Sequence, residues 1–523
     1  MDETSRMGAR RMSSIDRRAF LAAAAVSVPA WVGLGPARAG GPAVALGPAE
    51  PFRPGDVIDR ARATAARAFM PPPAVPEAWT ALDYDQYRNI RFRADRALWR
   101  GTQSPFEAQL FAPGFYFRHG ARIAVVDNGE ARPVRFERRA FRYSPDLPVL
   151  PDDPALDYSG FRLHGALNRD DYRDEFAVFQ GASYFRAVAR GQVYGLSARA
   201  LALGTAEPEG EEFPFFRAFW IETPARDAAC VRVHALLDSQ SIAGAYSFDI
   251  TPGEATEMAV RAVLFPRRDL DHPGIAPLTS MFLFDATNRH RFDDFRPAVH
   301  DSDGLMVVNG NGEQLWRPLA NPPRLQVSHF LDADPKGFGL VQRSRDPGDF
   351  ADLEARYHQR PSAWVEPGSG WGAGSVALVE IPTTREINDN IVAFWRPRAT
   401  LMAGARHDFD YRLAWRNEPP ALPDLARVVE TASGARRAGG RIMAIDFAPG
   451  GRPLPAPDDV VADMVVRPGS VSPAVIQRNP ATGGLRLAFT FDPEGADAVE
   501  LRAQLRDRSR RPLSEVWLYR WTS

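Results

Sequence analysis

The chain has 523 residues, 45% hydrophobic and 25% charged, the balance of a soluble globular protein with room for roughly two to four domains. A formal net charge of -1 excludes a bulk field that would gather nucleic acid or an acidic membrane, so no nucleic-acid partner is expected. A single cysteine, Cys230, excludes an internal disulfide and a cysteine-built zinc site.

The N-terminus reads as a targeting segment. Arg17 and Arg18 precede Phe20 and Leu21, an apolar run extends from Ala19 to about Leu34, and Ala37, Arg38 and Ala39 form a small-x-small processing site. Residues 1–39 are therefore expected to be a twin-arginine signal, handled by the twin-arginine translocase and removed near Ala39. The run is shorter than the ~20 residues of a spanning helix, and Pro29 interrupts it, so the mature protein is expected in the periplasm.

"DVIDRARATAARAFM" and then "DYDQYRNI" carry helical patterns. From about residue 50 to 415 the rest reads mostly as short strands, among them "ARIAVVD", "FPFFRAFWIE", "CVRVHALLD", "MAVRAVLFP" and "SVALVEIP", separated by Pro, Gly, Asp and Asn. A third helix is expected over "DFADLEARYHQRP", from an Asp cap at Asp349 to Pro361. Many strands without regular helical alternation predict an all-β sandwich, not a βαβ fold. The proline-rich stretch 416–429 reads as a linker, and the strands over 430–523 suit a small immunoglobulin-like sandwich.

Several local motifs fail on inspection. The glycines of "GSGWGAGSVALVEIP" lead into a strand, whereas a nucleotide loop opens a helix. "DSDG" places Gly304 too early for a calcium loop. The nine histidines show no zinc spacing, and no G-x-S-x-G elbow is present. No metal and no cofactor are expected.

What remains is acids among aromatics, the combination glycoside chemistry uses: one carboxylic acid protonates the leaving oxygen, and a second carboxylate activates water or attacks. Asp301, Asp303, Glu354, Glu366, Glu380, Glu386 and Asp389 are candidates, with Tyr357, Trp364, Trp371 and Trp395 near them in sequence. Those four rings are either cleft walls or core, since aromatics serve both. Glu386 and Arg317 are either substrate contacts or salt-bridge partners. Asp389, between Asn388 and Asn390, is either a desolvated acid or part of an Asx turn.

The assembled segments resemble the periplasmic glucan biosynthesis family, MdoG/OpgG and its paralogue OpgD. The resemblance rests on "DYDQYRNIRFRADRALWR", "DEFAVFQGASYFRAVARGQVYGLSARALAL", "GIAPLTSMFLF", "RPAVHDSDGL", "GFGLVQR", "RPSAWVEP" and "LVEIPTTREINDNIVAFW", within roughly Phe52 to Trp415. The paired arginines of the leader favour the OpgD-like branch. The resemblance implies a galactose-mutarotase-like β-sandwich with a long cleft, followed by an immunoglobulin-like domain. It implies linear β-1,2-glucan as substrate and an anomer-inverting endo-β-1,2-glucanase, with Asp389 as general acid and Asp301 as general base. Asp303 becomes a structural or substrate-contact neighbour of Asp301. An inverting pair stands farther apart than the roughly 5 Å of a retaining pair.

The sequence departs from the family pattern at Ser344, where "QRSR" replaces "QRDR", at Ala298, where "RPAV" replaces "RPEV", and at "LFDATN". The resemblance also implies that Asp301 reaches the attacking water through a relay, and changes there leave hydrolysis and transfer to a sugar hydroxyl, including cyclisation, both open. A non-catalytic glucan-binding partner of the membrane glucan synthase is the alternative reading.

Overall fold

The computed structural model describes residues 44–153, 155–419, 424–437 and 439–523. The export signal read over 1–39 and the centre of the expected linker, 420–423, lie outside the described residues.

The described chain is almost all β. Two large sheets, one of fifteen strands and one of ten, carry most of it. Their inner faces meet along an aromatic seam. Phe161, Phe179 and Phe185 come from the ten-stranded sheet; Phe219, Phe248 and Trp415 come from the other. Phe161 meets Phe219 edge-on at 5.1 Å, and Phe179 meets Phe248 at 5.2 Å. Such pairs add to the burial of these large rings and fix how the sheets lie.

Strand alternation then dictates the outer face. In the strand Tyr184–Ala187, Phe185 points into the seam, so Tyr184 and Arg186 lie on the opposite side. Register extends that row across neighbouring strands: Arg186 lies opposite Val178, Val178 opposite Arg162, and Arg162 opposite Gln109. This polar outer surface leads towards the candidate site.

The helix Pro54–Ala65 forms where the first helical pattern predicts it. Proline opens it, and Asp56 accepts a hydrogen bond from the Arg53 backbone amide at 2.8 Å. Val57 and Ala61 cover Ala124, Val126, Trp220 and Phe265 on the outer side of the fifteen-stranded sheet. The second pattern folds as Tyr84–Arg88, capped by Asp83.

The third predicted helix does not form. Only the single turns Pro347–Asp349 and Tyr357–Gln359 are helical, both of the 3-10 kind. Ala351 and Arg356 take positive φ values of 52° and 48°, which break an α-helix between them. Asp352 instead accepts from the amides of Glu354 and Ala355, making a compact turn.

Towards the C-terminus, Arg427–Ala435, Arg441–Ala448 and Gly484–Asp492 belong to a five-stranded sheet. Val460–Arg467, Ala498–Asp507 and Val516–Thr522 extend the fifteen-stranded sheet, joined to it by parallel pairing of Leu315 with Val516 and Trp316 with Trp517. Met306, Trp316 and Trp364 share a core with Phe447, Leu487 and Trp517, so the C-terminal strands pack on this part of the fifteen-stranded sheet. Among the described residues, no helix is long and apolar enough to cross a membrane.

Candidate active site

"HDSDG" folds as a crossing between sheets. Val299–His300 pairs with Phe282–Phe284, and Gly304–Val308 enters the fifteen-stranded sheet. The His300 ring stacks on Phe282 at 5.4 Å, and its Nδ1 lies 3.0 Å from Gln342 Oε1. Burial, against the opposing Gln342 hydrogen bond, pushes His300 down to about 4, so it is neutral at ordinary pH. Asp301 is buried, its amide donating to Met281 at 2.8 Å. Gly304 must lack a side chain, since a Cβ there would lie 2.1 Å from the Trp316 ring.

"NDN" closes the turn between Ala373–Glu380 and Ile391–Pro397. Asn390 donates to Ile381 O at 3.0 Å and accepts from the Phe282 amide at 2.8 Å. Asn388 donates to Thr383 Oγ1 at 3.1 Å. The asparagines thus build the turn. Phe282 links the two motifs: its amide holds Asn390 while its ring covers His300.

Asp389 is buried beside Arg186, whose guanidinium lies 3.9 Å away. Its Oδ2 accepts no hydrogen bond. Burial raises its pKa to about 7; Arg186 opposes the shift and the charge of Asp301 reinforces it. The two carboxyls therefore sense one another. A small cavity of about 40 Å3 is lined in part by Phe117, His119, Gln180 and Tyr184, the last on the strand that carries Arg186.

Asp301 is ion-paired with Arg360 Nη1. The Arg360 guanidinium lies over the Tyr357 ring, 4.3 Å from its centroid. The Tyr357 hydroxyl donates to Glu386 Oε2 at 3.3 Å, and Glu386 pairs with Arg296 at 2.8 Å. Burial pushes the Tyr357 phenol well above its usual range, so it is a neutral donor. Asp301, Asp389, Tyr357 and Glu386 are therefore brought into one neighbourhood.

Five of the other candidates make structural contacts in this fold. Trp364 lies in the core shared with the C-terminal strands, its ring flat over Gly337 and Gly339. Trp371 and Trp395 are 5% and 0% exposed and pack on each other, and Trp371 also meets Phe409 and Tyr411 edge-on. No face of these three rings is open to a sugar. Arg317 is buried and donates to Glu380 at 3.1 Å, a seam contact far from solvent. Asp303 holds a backbone turn, accepting from the amides of Arg343 and Ser344 at 2.9 and 3.0 Å. The Ser344 hydroxyl also donates to it at 3.3 Å. Among the described residues, no cluster of His, Cys, Asp or Glu is arranged to hold a metal ion.

The pattern of the family described as "Periplasmic glucan biosynthesis protein, MdoG" matches residues 52–521. The chain belongs to this periplasmic glucan biosynthesis family. The family extends past Trp415 through the C-terminal strands, where the motifs read from sequence are sparse. Similar proteins include the glucans biosynthesis protein G of Vibrio cholerae, 49% identical over 453 residues, covering 86% of this chain and 82% of that one. That of Bradyrhizobium diazoefficiens is 48% identical over 477 residues, covering 91% and 94%. Glucans biosynthesis protein G 1 of Shewanella oneidensis is 48% identical over 473 residues, covering 89% and 86%. These relatives carry the G name; the feature favouring the D branch, the paired arginines, lies outside the described residues. As a member of this family the protein is periplasmic and serves glucan biosynthesis.

Within this family member, Arg186, Arg296 and Arg360 are the site residues that sequence reasoning passed over. All three stand inside motif segments, in "SYFRA", "FRPAVHDSDGL" and "QRPSAWVEP". Their roles come from partners distant in the chain, such as Asp301 for Arg360, and no local spacing reveals such pairs.

Proposed function

We propose that this protein cleaves or transfers linear β-1,2-glucan by an anomer-inverting two-carboxylate mechanism. The observation that carries the reading is the asymmetry of the pair. Asp389 is buried, lacks a hydrogen bond on Oδ2 and has its pKa raised to about 7, while Asp301 is clamped by Arg360. Environments that differ in this way assign acid and base.

Asp389, protonated, gives its proton to the glycosidic oxygen as the C1–O bond breaks. The carboxylate left behind faces Arg186 at 3.9 Å, which offsets the buried charge. Asp301 takes the proton of the attacking hydroxyl on the other side of the sugar. Arg360, braced on Tyr357, keeps that carboxylate oriented. On the outer face, Arg162 donates to Gln109 Oε1 at 2.7 Å and to Glu175 at 2.8 Å, which orders the row that leads to Arg186.

The attacking hydroxyl belongs to water or to another sugar. Incubating the purified protein with linear β-1,2-glucan separates these. Shorter linear chains are the expected product; cyclic or lengthened chains would mean transfer. Binding without any change in chain length would leave a glucan-binding role beside the membrane synthase and overturn the catalytic reading.

A further inference from the structure

We infer that Arg296 is a positioning residue for the two-carboxylate site, tying together the three loops that carry or frame Asp301, Tyr357 and Asp389. The inference rests on the reading above and adds a residue to it.

The Arg296 side chain is 14% exposed and meets three carboxylates. Nε and Nη2 donate to Asp294 at 3.0 and 2.8 Å, and Nη1 donates to Asp352 at 2.8 Å. Nη2 also reaches Glu386 at 2.8 Å. Arg296 shortly precedes Asp301 in the chain. Asp352 organises the turn that leads to Tyr357. Glu386 belongs to the turn that carries Asp389 and accepts from the Tyr357 hydroxyl.

The Asp389 turn needs such a tie. One end is held where Asn321 exchanges hydrogen bonds with the backbone of Thr383 at 3.0 and 2.8 Å. The other end is held by Asn390 on Ile381 and Phe282. Glu386 holds the middle. Without the guanidinium, Asp294, Asp352 and Glu386 would repel one another and the loops would part. Lysine cannot replace it, because a point charge lacks the planar fork that serves three acceptors at once. The connection runs from Arg296 through Glu386 and Tyr357 to Arg360 and Asp301, so one residue sets both carboxyls relative to each other.

The test compares wild type with Arg296→Gln and Arg296→Lys. Kinetics on linear β-1,2-glucan are measured, and the Asp389 carboxyl is titrated by carbon NMR in each. For Arg296→Gln, kcat is expected to fall about tenfold to hundredfold, the loss that follows a small misplacement of a reacting group. KM changes much less, and the Asp389 titration moves because its distances to Arg186 and Asp301 change. Arg296→Lys recovers only part of kcat. A wild-type kcat with an unmoved titration overturns the proposal, as does a loss of thermal stability alone. If the wild type itself leaves the glucan unchanged, the glucan reading fails, and the titration decides the positioning role by itself: moved supports it, unmoved overturns it. If Arg296→Gln does not fold, the same readouts on Arg296→Lys decide.

Discussion

Asp389→Asn is expected to lower turnover of linear β-1,2-glucan by about 100- to 10,000-fold, the range general acid catalysis contributes, while the protein stays folded. The amide is isosteric and cannot give up a proton. It also removes a buried carboxyl whose Oδ2 has no hydrogen bond, so stability at neutral pH is expected to hold or rise. Product chain lengths and a thermal unfolding curve check both parts.

The same residue predicts two pH effects. Activity needs the protonated form, so the wild-type rate is expected to fall as pH rises through about 7. For stability, burial raises the folded pKa well above the ordinary carboxylate range that holds in the unfolded chain. Between those limits the folded protein holds a proton that the unfolded chain has lost. This carboxyl's contribution therefore favours folding at low pH and is lost as pH rises through about 7. The wild type minus Asp389→Asn difference in unfolding free energy should show that slope. A difference that is flat from pH 4 to 8 would contradict it.

The second large effect concerns the seam with the C-terminal strands. Glu515 is 1% exposed and receives both Arg343 Nη atoms, at 2.5 and 3.0 Å, and the Val428 amide at 2.7 Å. The Arg343 guanidinium lies 3.5 Å from the Trp316 ring centroid. Glu515→Ala leaves that cation buried without its anion, at an expected cost of about 3–5 kcal/mol. Glu515→Gln, which keeps acceptors, should cost less. Denaturant unfolding measures both; a loss below about 1 kcal/mol for the alanine variant would mean water reaches Arg343 and the seam is open. Because the Arg343 and Ser344 amides hold Asp303 beside Asp301, activity should fall with stability in the alanine variant.

The strands were legible because alternation is local: each needs only its own residues to announce a buried face. The helices at Pro54–Ala65 and Tyr84–Arg88 were legible through their caps. The stretch after Asp349 was not, because the positive φ of Ala351 and Arg356 is imposed by tertiary contacts that helix propensity does not register. Trp364, Trp371 and Trp395 look alike in sequence whether they line a cleft or fill a core, and here they fill cores. Asp301 and Asp389 stood among seven candidate acids, and the roles proposed for them came from the family resemblance; the link that joins their segments, Phe282 between His300 and Asn390, spans residues no local pattern connects. Arg360 was invisible for the same reason.

The departures from the family pattern also gain a physical setting. Ser344 donates to Asp303, where an acid would instead set a second negative charge beside a buried carboxyl. Ala298 is buried beside Met281, Leu283 and Tyr357, a small residue in an apolar cluster under the site.

The most direct test of the central claim is the anomer of the first product. Proton NMR during the earliest turnover of linear β-1,2-glucan distinguishes the two reducing-end forms before they equilibrate. An acid at Asp389 and a base at Asp301 acting across the sugar predict that the α-anomer appears first. A β-anomer appearing first would mean a covalent, retaining pathway and would contradict the assignment of both residues.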